Sequence, residues 1–328
     1  MDPLRLISQA AARLAAGGLV AFPTETVYGL GADAFCEAAV RRVFAVKGRP
    51  PTNPLIVHVT GPEMAREVAG EWSESAQRLA DVFWPGPLTL IVPKANRVPG
   101  CVTGGGPTVA VRAPDHPVAM ALIEAFGGPI VGPSANPSGY VSPTRADHVR
   151  AHFDADEVLV LEGGPCRTGI ESTVLELIPA PAILRRGVVG AADIGSVLGQ
   201  IVGDEKPDLK SESKSGGPAA SPGVLGAHYQ PRGRVILCQD PAEVESLIQG
   251  IGGKAAILSG PGCAQIASPP HRAYTMPASA SEYAGLLYAV LREADDWGAS
   301  AIIVVTREMP PADPIWSAVL DRLSRASK

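Results

Sequence analysis

Between Gly203 and Gly233 the apolar periodicity of this 328-residue chain stops, and the sequence runs "DEKPDLKSESKSGGPAASPG". A stretch of Lys, Glu, Ser, Gly, Ala and Pro cannot close a hydrophobic core and has the composition of a linker. No single core can therefore run from end to end. Residues 1–202 and 234–328 are expected to be separate domains, with 203–233 joining them. The length exceeds the usual single-domain range and points the same way. With 46% hydrophobic and 19% charged residues, both parts have enough apolar material to be globular.

In the first part, Leu4, Ile7, Ala11 and Leu14 recur at helical spacing before Gly17 and Gly18, and a strand follows over Leu19 to Phe22. Helices are expected at Glu37–Val46 and Glu74–Phe83, and strands at Pro54–Val59 and Leu88–Val92. Short β-rich runs continue at 108–112, 129–131, 158–161, 173–177 and 182–184. Some are separated only by tight turns, which predicts a mixed α/β sheet rather than a purely parallel one. After the linker come a strand at 234–237, a helix at 242–248, a strand at 255–258, a long helix at 281–295, a strand at 301–305 and a last helix. That alternation predicts a smaller Rossmann-like parallel sheet. It lacks a G-x-G-x-x-G loop, because Gln239, Asp240 and Pro241 follow the first strand, so no dinucleotide site is expected.

The formal net charge is -5, and no segment is a polycation, which disfavours nucleic acid as the primary ligand. Cys36, Cys101, Cys166, Cys238 and Cys263 are scattered and odd in number, without metal or redox spacing. A reducing cytoplasm fits them best. No basic, apolar leader and no membrane-length apolar run is present.

The polar motifs lie at strand ends, where loops carry chemistry on a rigid sheet. "PTETVYGLGADA" (23–34) offers hydroxyls and glycine N–H groups to a small polar ligand, or else is a turn whose hydroxyls cap the next helix. Lys47 and Arg49 close a helix ahead of Asn53 and His58; they suit an anion, or merely complement the helix dipole. Arg112 in "TVAVRAP" needs a partner if it points inward, and a substrate carboxylate is one candidate. "GPSANPSGYVSPT" (132–144) is dense in hydrogen-bonding groups but is no nucleophile elbow, since Asn136 replaces the second glycine. "GIESTVLEL" and "ILRRG" add Ser172, Thr173, Arg185 and Arg186. No P-loop occurs.

Together and in this order, "FPTETVYGLGADA", "KGRP...NPLIVHV", "FWPGPLTLIV", "VAVRAPDHP", "PSANPSGYVSPT", "GIESTVLEL" and "ILRRG" resemble the YrdC-type family of threonylcarbamoyl-AMP synthases over roughly residues 5 to 200. The linker with "SPG...HYQP" and the domain after it resemble the longer, two-domain branch. The resemblance implies a YrdC-like twisted mixed sheet with a concave active-site cavity. It further implies that L-threonine, bicarbonate or CO2, and ATP give threonylcarbamoyl-AMP and pyrophosphate. Mg2+ would accompany ATP, and a separate transferase would move the product to adenosine 37 of tRNA.

Carried over by motif, Thr26, His58, Arg112, Gly132 and Ser172 would surround threonine, with Arg112 taking its carboxylate. Lys47, Arg49, Asn53, Thr108, Ser134, Asn136, Ser142 and Arg186 would hold ATP, with Lys47 and Arg49 carrying the catalytic charge. His228 and Tyr229 would also contact ATP, as part of a lid formed by the linker. The chain departs from the family at Leu225, Gly226 and Ala227, where basic residues are usual. Two other readings compete. A hydrogenase-maturation carbamoyltransferase would bring acylphosphatase and zinc-finger regions that this chain lacks. A tRNA-gripping module conflicts with its acidic balance.

Overall fold

The computed structural model describes residues 3–203, 228–261 and 268–328, which form two compact units. Of the described residues, 3–138, 143–167 and 171–203 make the first unit, and 139–142, 168–170, 228–261 and 268–328 the second. Most of the linker, including Leu225, Gly226 and Ala227, lies outside the described residues, as does Cys263.

The first unit opens with α1 (Pro3–Ala15), and Gly17, at φ +72°, turns the chain into β1 (Leu19–Phe22). Strand alternation then decides which face each side chain meets. Leu19 and Ala21 enter the main core, whereas Val20 and Phe22 face α1 and α5 (Pro117–Phe126) on the opposite side. The remaining strands are β2 (Gly29–Asp33), β3 (Ile56–His58), β4 (Leu88–Pro93), β5 (Thr108–Arg112), β6 (Ile130–Val131), β7 (Val158–Val160), β8 (Thr173–Glu176) and β9 (Ala182–Arg185). Helices α2 (Glu37–Lys47), α3 (Pro62–Val68), α4 (Glu74–Phe83), α6 (Ala146–Arg150) and α7 (Ala191–Leu198) complete the unit.

These strands make one nine-stranded sheet in the order β7-β1-β2-β6-β3-β5-β4-β8-β9. It is mixed, as the sequence predicts: β3/β5 and β4/β8 are parallel, whereas β1/β2 and β4/β5 are antiparallel. The second half of "PTETVYGLGADA" is strand β2 rather than loop. Its glycines are required by the neighbouring strand, because a Cβ on Gly29 would lie 2.8 Å from the Phe22 ring and one on Gly31 3.0 Å from the Val20 carbonyl oxygen.

The second unit contains β10 (Arg234–Cys238), α8 (Val244–Gln249), β11 (Ala255–Ser259), β12 (Arg272–Thr275), α9 (Ala280–Asp296), β13 (Ala301–Val305) and α10 (Pro314–Ala326). Its four strands are parallel in the order β10-β13-β11-β12, the Rossmann-like arrangement expected from the alternation. The edge strand β12 escapes sequence reading because its two ends are exposed and its middle only half-buried. The helix expected from Ala242 begins instead as a 3-10 turn, Pro241–Glu243, capped by the Asp240 carboxylate.

Leu90, fully buried at the centre of β4, tests the main core. Leu90→Ala should cost about 2–5 kcal/mol in the urea unfolding of the first unit. A loss below about 1 kcal/mol would show that this position does not support the packed interior.

Candidate functional site

The sheet register gathers polar residues into one row. His58 and Arg112 are Cα partners at the carboxyl ends of β3 and β5. The antiparallel β4/β5 pairing, with Leu90 opposite Val111, brings Thr89 beside Arg112. Ser172 immediately precedes β8, the next strand over. Two residues along these strands, and hence on the same face, Ile56, Ala110, Ile91 and Val174 form a small apolar cluster with Leu184. The polar row therefore continues an apolar floor.

Arg112 is buried, and its guanidinium is held from the loop that follows β1. Nη2 donates to Glu25 Oε2 at 3.0 Å and Nη1 to Thr26 Oγ1 at 2.9 Å. Thr24 fixes that loop: its hydroxyl accepts from the N–H groups of Thr26 and Val27 and donates to the Val27 carbonyl. His58 is packed edge-on against Phe22, and a Cβ on Gly132 would lie 2.7 Å from His58 Nδ1, so only glycine fits there. Ser172 Oγ meets Thr89 Oγ1 at 2.8 Å and accepts from Arg185 Nη2 at 3.1 Å. Thr26, His58, Arg112 and Gly132 thus come together, with Ser172 further along the row.

Three buried atoms of the row lack a hydrogen-bond partner among the described residues, Glu25 Oε1, His58 Nδ1 and Arg112 Nε, as does Asn53 Oδ1 beside Arg49. Buried polar groups are almost always paired, so such a concentration marks a place built for a ligand. Burial, helped by the Arg112 charge, holds the His58 imidazole well below its ordinary value and keeps it neutral. Burial also lowers Arg112, with Glu25 opposing the shift.

A second cluster surrounds Lys47, the last residue of α2. Gly48, left-handed at φ 60°, ends that helix, and the buried Lys47 Nζ donates to the Ser134 and Asn136 carbonyls at 2.5 Å each. Burial and the neighbouring Arg49 charge depress the Lys47 ammonium well below the usual lysine range. Arg49 donates to the Asn53 and Pro54 carbonyls at 3.2 and 2.9 Å. The loop bearing Ser134 and Asn136 is laced to the loop after β1 through Leu30 N–H to the Pro133 carbonyl and Ala135 N–H to the Tyr28 carbonyl.

Thr108 lies at the opposite end of β5 from Arg112, about 13 Å away at the rise of a strand. Arg186 follows β9 and is half-buried. Ser142, His228 and Tyr229 belong to the second unit.

A family model described as telomere recombination, for Sua5, YciO and YrdC, matches residues 12–187. A second, described as the C-terminal domain of threonylcarbamoyl-AMP synthase, matches residues 189–328. The chain belongs to the Sua5/YrdC family. Two relatives named threonylcarbamoyl-AMP synthase share most of its length. That of Pyrococcus abyssi is 40% identical, over 95% of this chain and 91% of its own, and that of Bacillus subtilis is 39% identical, over 98% and 92%. The crystal structure of P. abyssi Sua5 complexed with L-threonine is 38% identical, with a TM-score of 0.87, covering 100% of this chain and 95% of that one.

Two buried residues of this Sua5/YrdC site, Glu25 and Thr89, escape sequence reasoning, and a third, Arg185, is singled out there without a role. Glu25 lies in a motif already singled out, but nothing local reveals that its carboxylate reaches Arg112. Arg185 stands beside Arg186, and the structure gives it a role: Nε donates to the Ser172 carbonyl and Nη2 to its hydroxyl. Thr89 is hidden in the apolar run "LTLIV" and emerges only from the register.

The depressed His58 has a consequence for stability. Below its ordinary value of 6.5 the unfolded chain takes up a proton that the folded site refuses. Stability should therefore fall as pH drops from about 6.5 toward the lowered folded value. In His58→Gln that decline should be shallower, as measured by urea unfolding between pH 7 and 5; an unchanged slope would show that His58 does not contribute.

Proposed function

We propose that this chain is an L-threonylcarbamoyladenylate synthase. It converts L-threonine, bicarbonate or CO2, and ATP into threonylcarbamoyl-AMP and pyrophosphate, for t6A formation at adenosine 37 of tRNA. The observation that carries the reading is the buried Arg112 row with its unpartnered polar atoms, in a chain matched over nearly its whole length by enzymes of that name.

The chemistry asks for positioning rather than a covalent nucleophile. The threonine amine adds to CO2 and loses a proton, and a carbamate oxygen then attacks the α-phosphorus as pyrophosphate departs, a nucleotidyl transfer. Arg112 is proposed to take the threonine carboxylate through Nε, the nitrogen its protein partners leave open, with Thr26, His58, Gly132 and Ser172 around it. Lys47 and Arg49 are proposed to stabilise phosphate charge, with Asn53, Thr108, Ser134, Asn136, Ser142 and Arg186 orienting the nucleotide. A phosphate would also restore the charged form of Lys47, which burial disfavours in the free protein.

Among the described residues, no group of three or more His, Cys, Asp or Glu side chains converges as a metal site. Mg2+ is proposed to accompany ATP, where it would offset phosphate charge. His228 and Tyr229 are assigned to a lid that keeps water from the mixed anhydride. Product transfer to a tRNA threonylcarbamoyltransferase and a cytoplasmic location complete the proposal. No helix among the described residues is long and apolar enough to cross a membrane.

The test is pyrophosphate release with ATP, Mg2+, L-threonine and bicarbonate, together with detection of the adenylate by mass spectrometry. Product should require both threonine and bicarbonate. Lys47→Ala and Arg49→Ala should each lower kcat/KM for ATP by about 10²- to 10³-fold. Near-normal turnover in both variants would overturn the assigned phosphate site.

A further inference from the structure

One face of α9 in the second unit touches three separate segments of the chain. Ala284, Tyr288, Arg292 and Asp295 follow the helical repeat and stack along that face. At its start, Ala284 and Gly285 meet Gly169. A Cβ on Gly169 would lie 2.3 Å from the Ala284 carbonyl oxygen and 2.5 Å from Gly285 Cα, and its φ of +71° also demands glycine. One turn on, the Tyr288 ring stacks on Tyr229, with centroids 5.5 Å apart at 23°.

Arg292 and Asp295 then grip the segment 139–142. Arg292 Nε donates to the Ser142 carbonyl at 3.3 Å and Nη2 to the Val141 carbonyl, while its guanidinium lies 4.9 Å from the Tyr140 ring centre. Asp295 Oδ2 accepts the Tyr140 hydroxyl at 2.5 Å and Arg232 Nε at 2.9 Å, and Oδ1 accepts the Gly233 N–H at 3.0 Å. The Gln230 N–H also donates to the Gly139 carbonyl at 2.9 Å.

All three segments carry, or run directly into, residues assigned to the reaction. Residues 139–142 continue the loop of Ser134 and Asn136 and include Ser142. Residues 168–170 lead into Ser172, and the third segment begins with His228 and Tyr229. α9 also has an apolar anchor, since Leu287, Leu291 and Ala294 are buried. Burying a guanidinium and a carboxylate costs free energy that packing does not require, whereas fixing backbone carbonyls and a phenol in defined directions does require such groups.

We propose that this face of α9 is a positioning platform that fixes the three segments of the second unit packed on it, with Arg292, Asp295 and Tyr140 as positioning residues for Ser142. The proposal rests on the assignment of Ser142 to ATP and Ser172 to L-threonine.

Steady-state kinetics on full-length Tyr140→Phe, Arg292→Gln, Gly169→Ala and Ser142→Ala, each checked for folding by thermal melting, test it. Tyr140→Phe and Arg292→Gln should raise KM for ATP by about 5- to 20-fold, with KM for threonine changed less than about 2-fold. Gly169→Ala should show the opposite split. Should Arg292→Gln fail to fold, Tyr140→Phe decides, since it removes a single hydroxyl. A raised KM for ATP in Ser142→Ala with unchanged values in folded Tyr140→Phe would overturn the platform and leave the proposed function intact. An unchanged KM in Ser142→Ala would overturn the ATP assignment and the platform with it. Equal changes in both KM values, or only a smaller active fraction, would reduce α9 to a structural support and also overturn the proposal.

Discussion

The buried guanidinium of Arg112 is the constraint on which the first unit depends. A charge within a nine-stranded sheet is tolerable only when paired and hydrogen-bonded, and Glu25 and Thr26 supply those partners. To deliver them, the loop after β1 must fold back to the carboxyl ends of β3 and β5. That path in turn goes with the Thr24 turn and the backbone bonds tying the segment after it to 132–144. Glu25 makes the pair electrically neutral before any ligand arrives. An amino-acid zwitterion adds no net charge to such an environment, whereas a lone carboxylate would.

Much of the fold is legible in the sequence, because strands and helices with a buried face obey their own periods. Leu19–Phe22, Leu88–Val92 and Thr108–Arg112 read correctly, since apolar and β-branched residues dominate each run. Strand β2 reads as loop because Gly29 and Gly31 lower β propensity; they are there for the aromatic ring and carbonyl of β1, a tertiary requirement with no local trace. That 139–142 and 168–170 belong to the second unit has no compositional mark, since 139–142 is held by side chains of α9 and Gly169 packs on its backbone, both far along the chain.

The candidate site divides along the same line. Family motifs bring Thr26, His58, Arg112 and Gly132 into view, and the structure gathers them around one guanidinium. Glu25, Thr89 and the role of Arg185 remain hidden, because a buried polar partner declares itself through the neighbour it satisfies. Period-two alternation links the two levels: on β3, β4 and β5, the residues two places from His58, Thr89 and Arg112 belong to the small apolar cluster beneath the row. A shift of one residue in any of these strands would turn its polar group to the other face.

The row across β3, β5, β4 and β8 is assembled from strands that adjoin in space but are widely separated along the chain. Such non-local pairings form only after long stretches of chain have been brought together, and they are among the slower steps of folding. His58, Arg112 and Ser172 cannot become neighbours in a half-built sheet. A nascent chain that stops short of Ser172 holds α1 to α6 in its sequence, but the Arg112 row that it can form ends without its Ser172 edge.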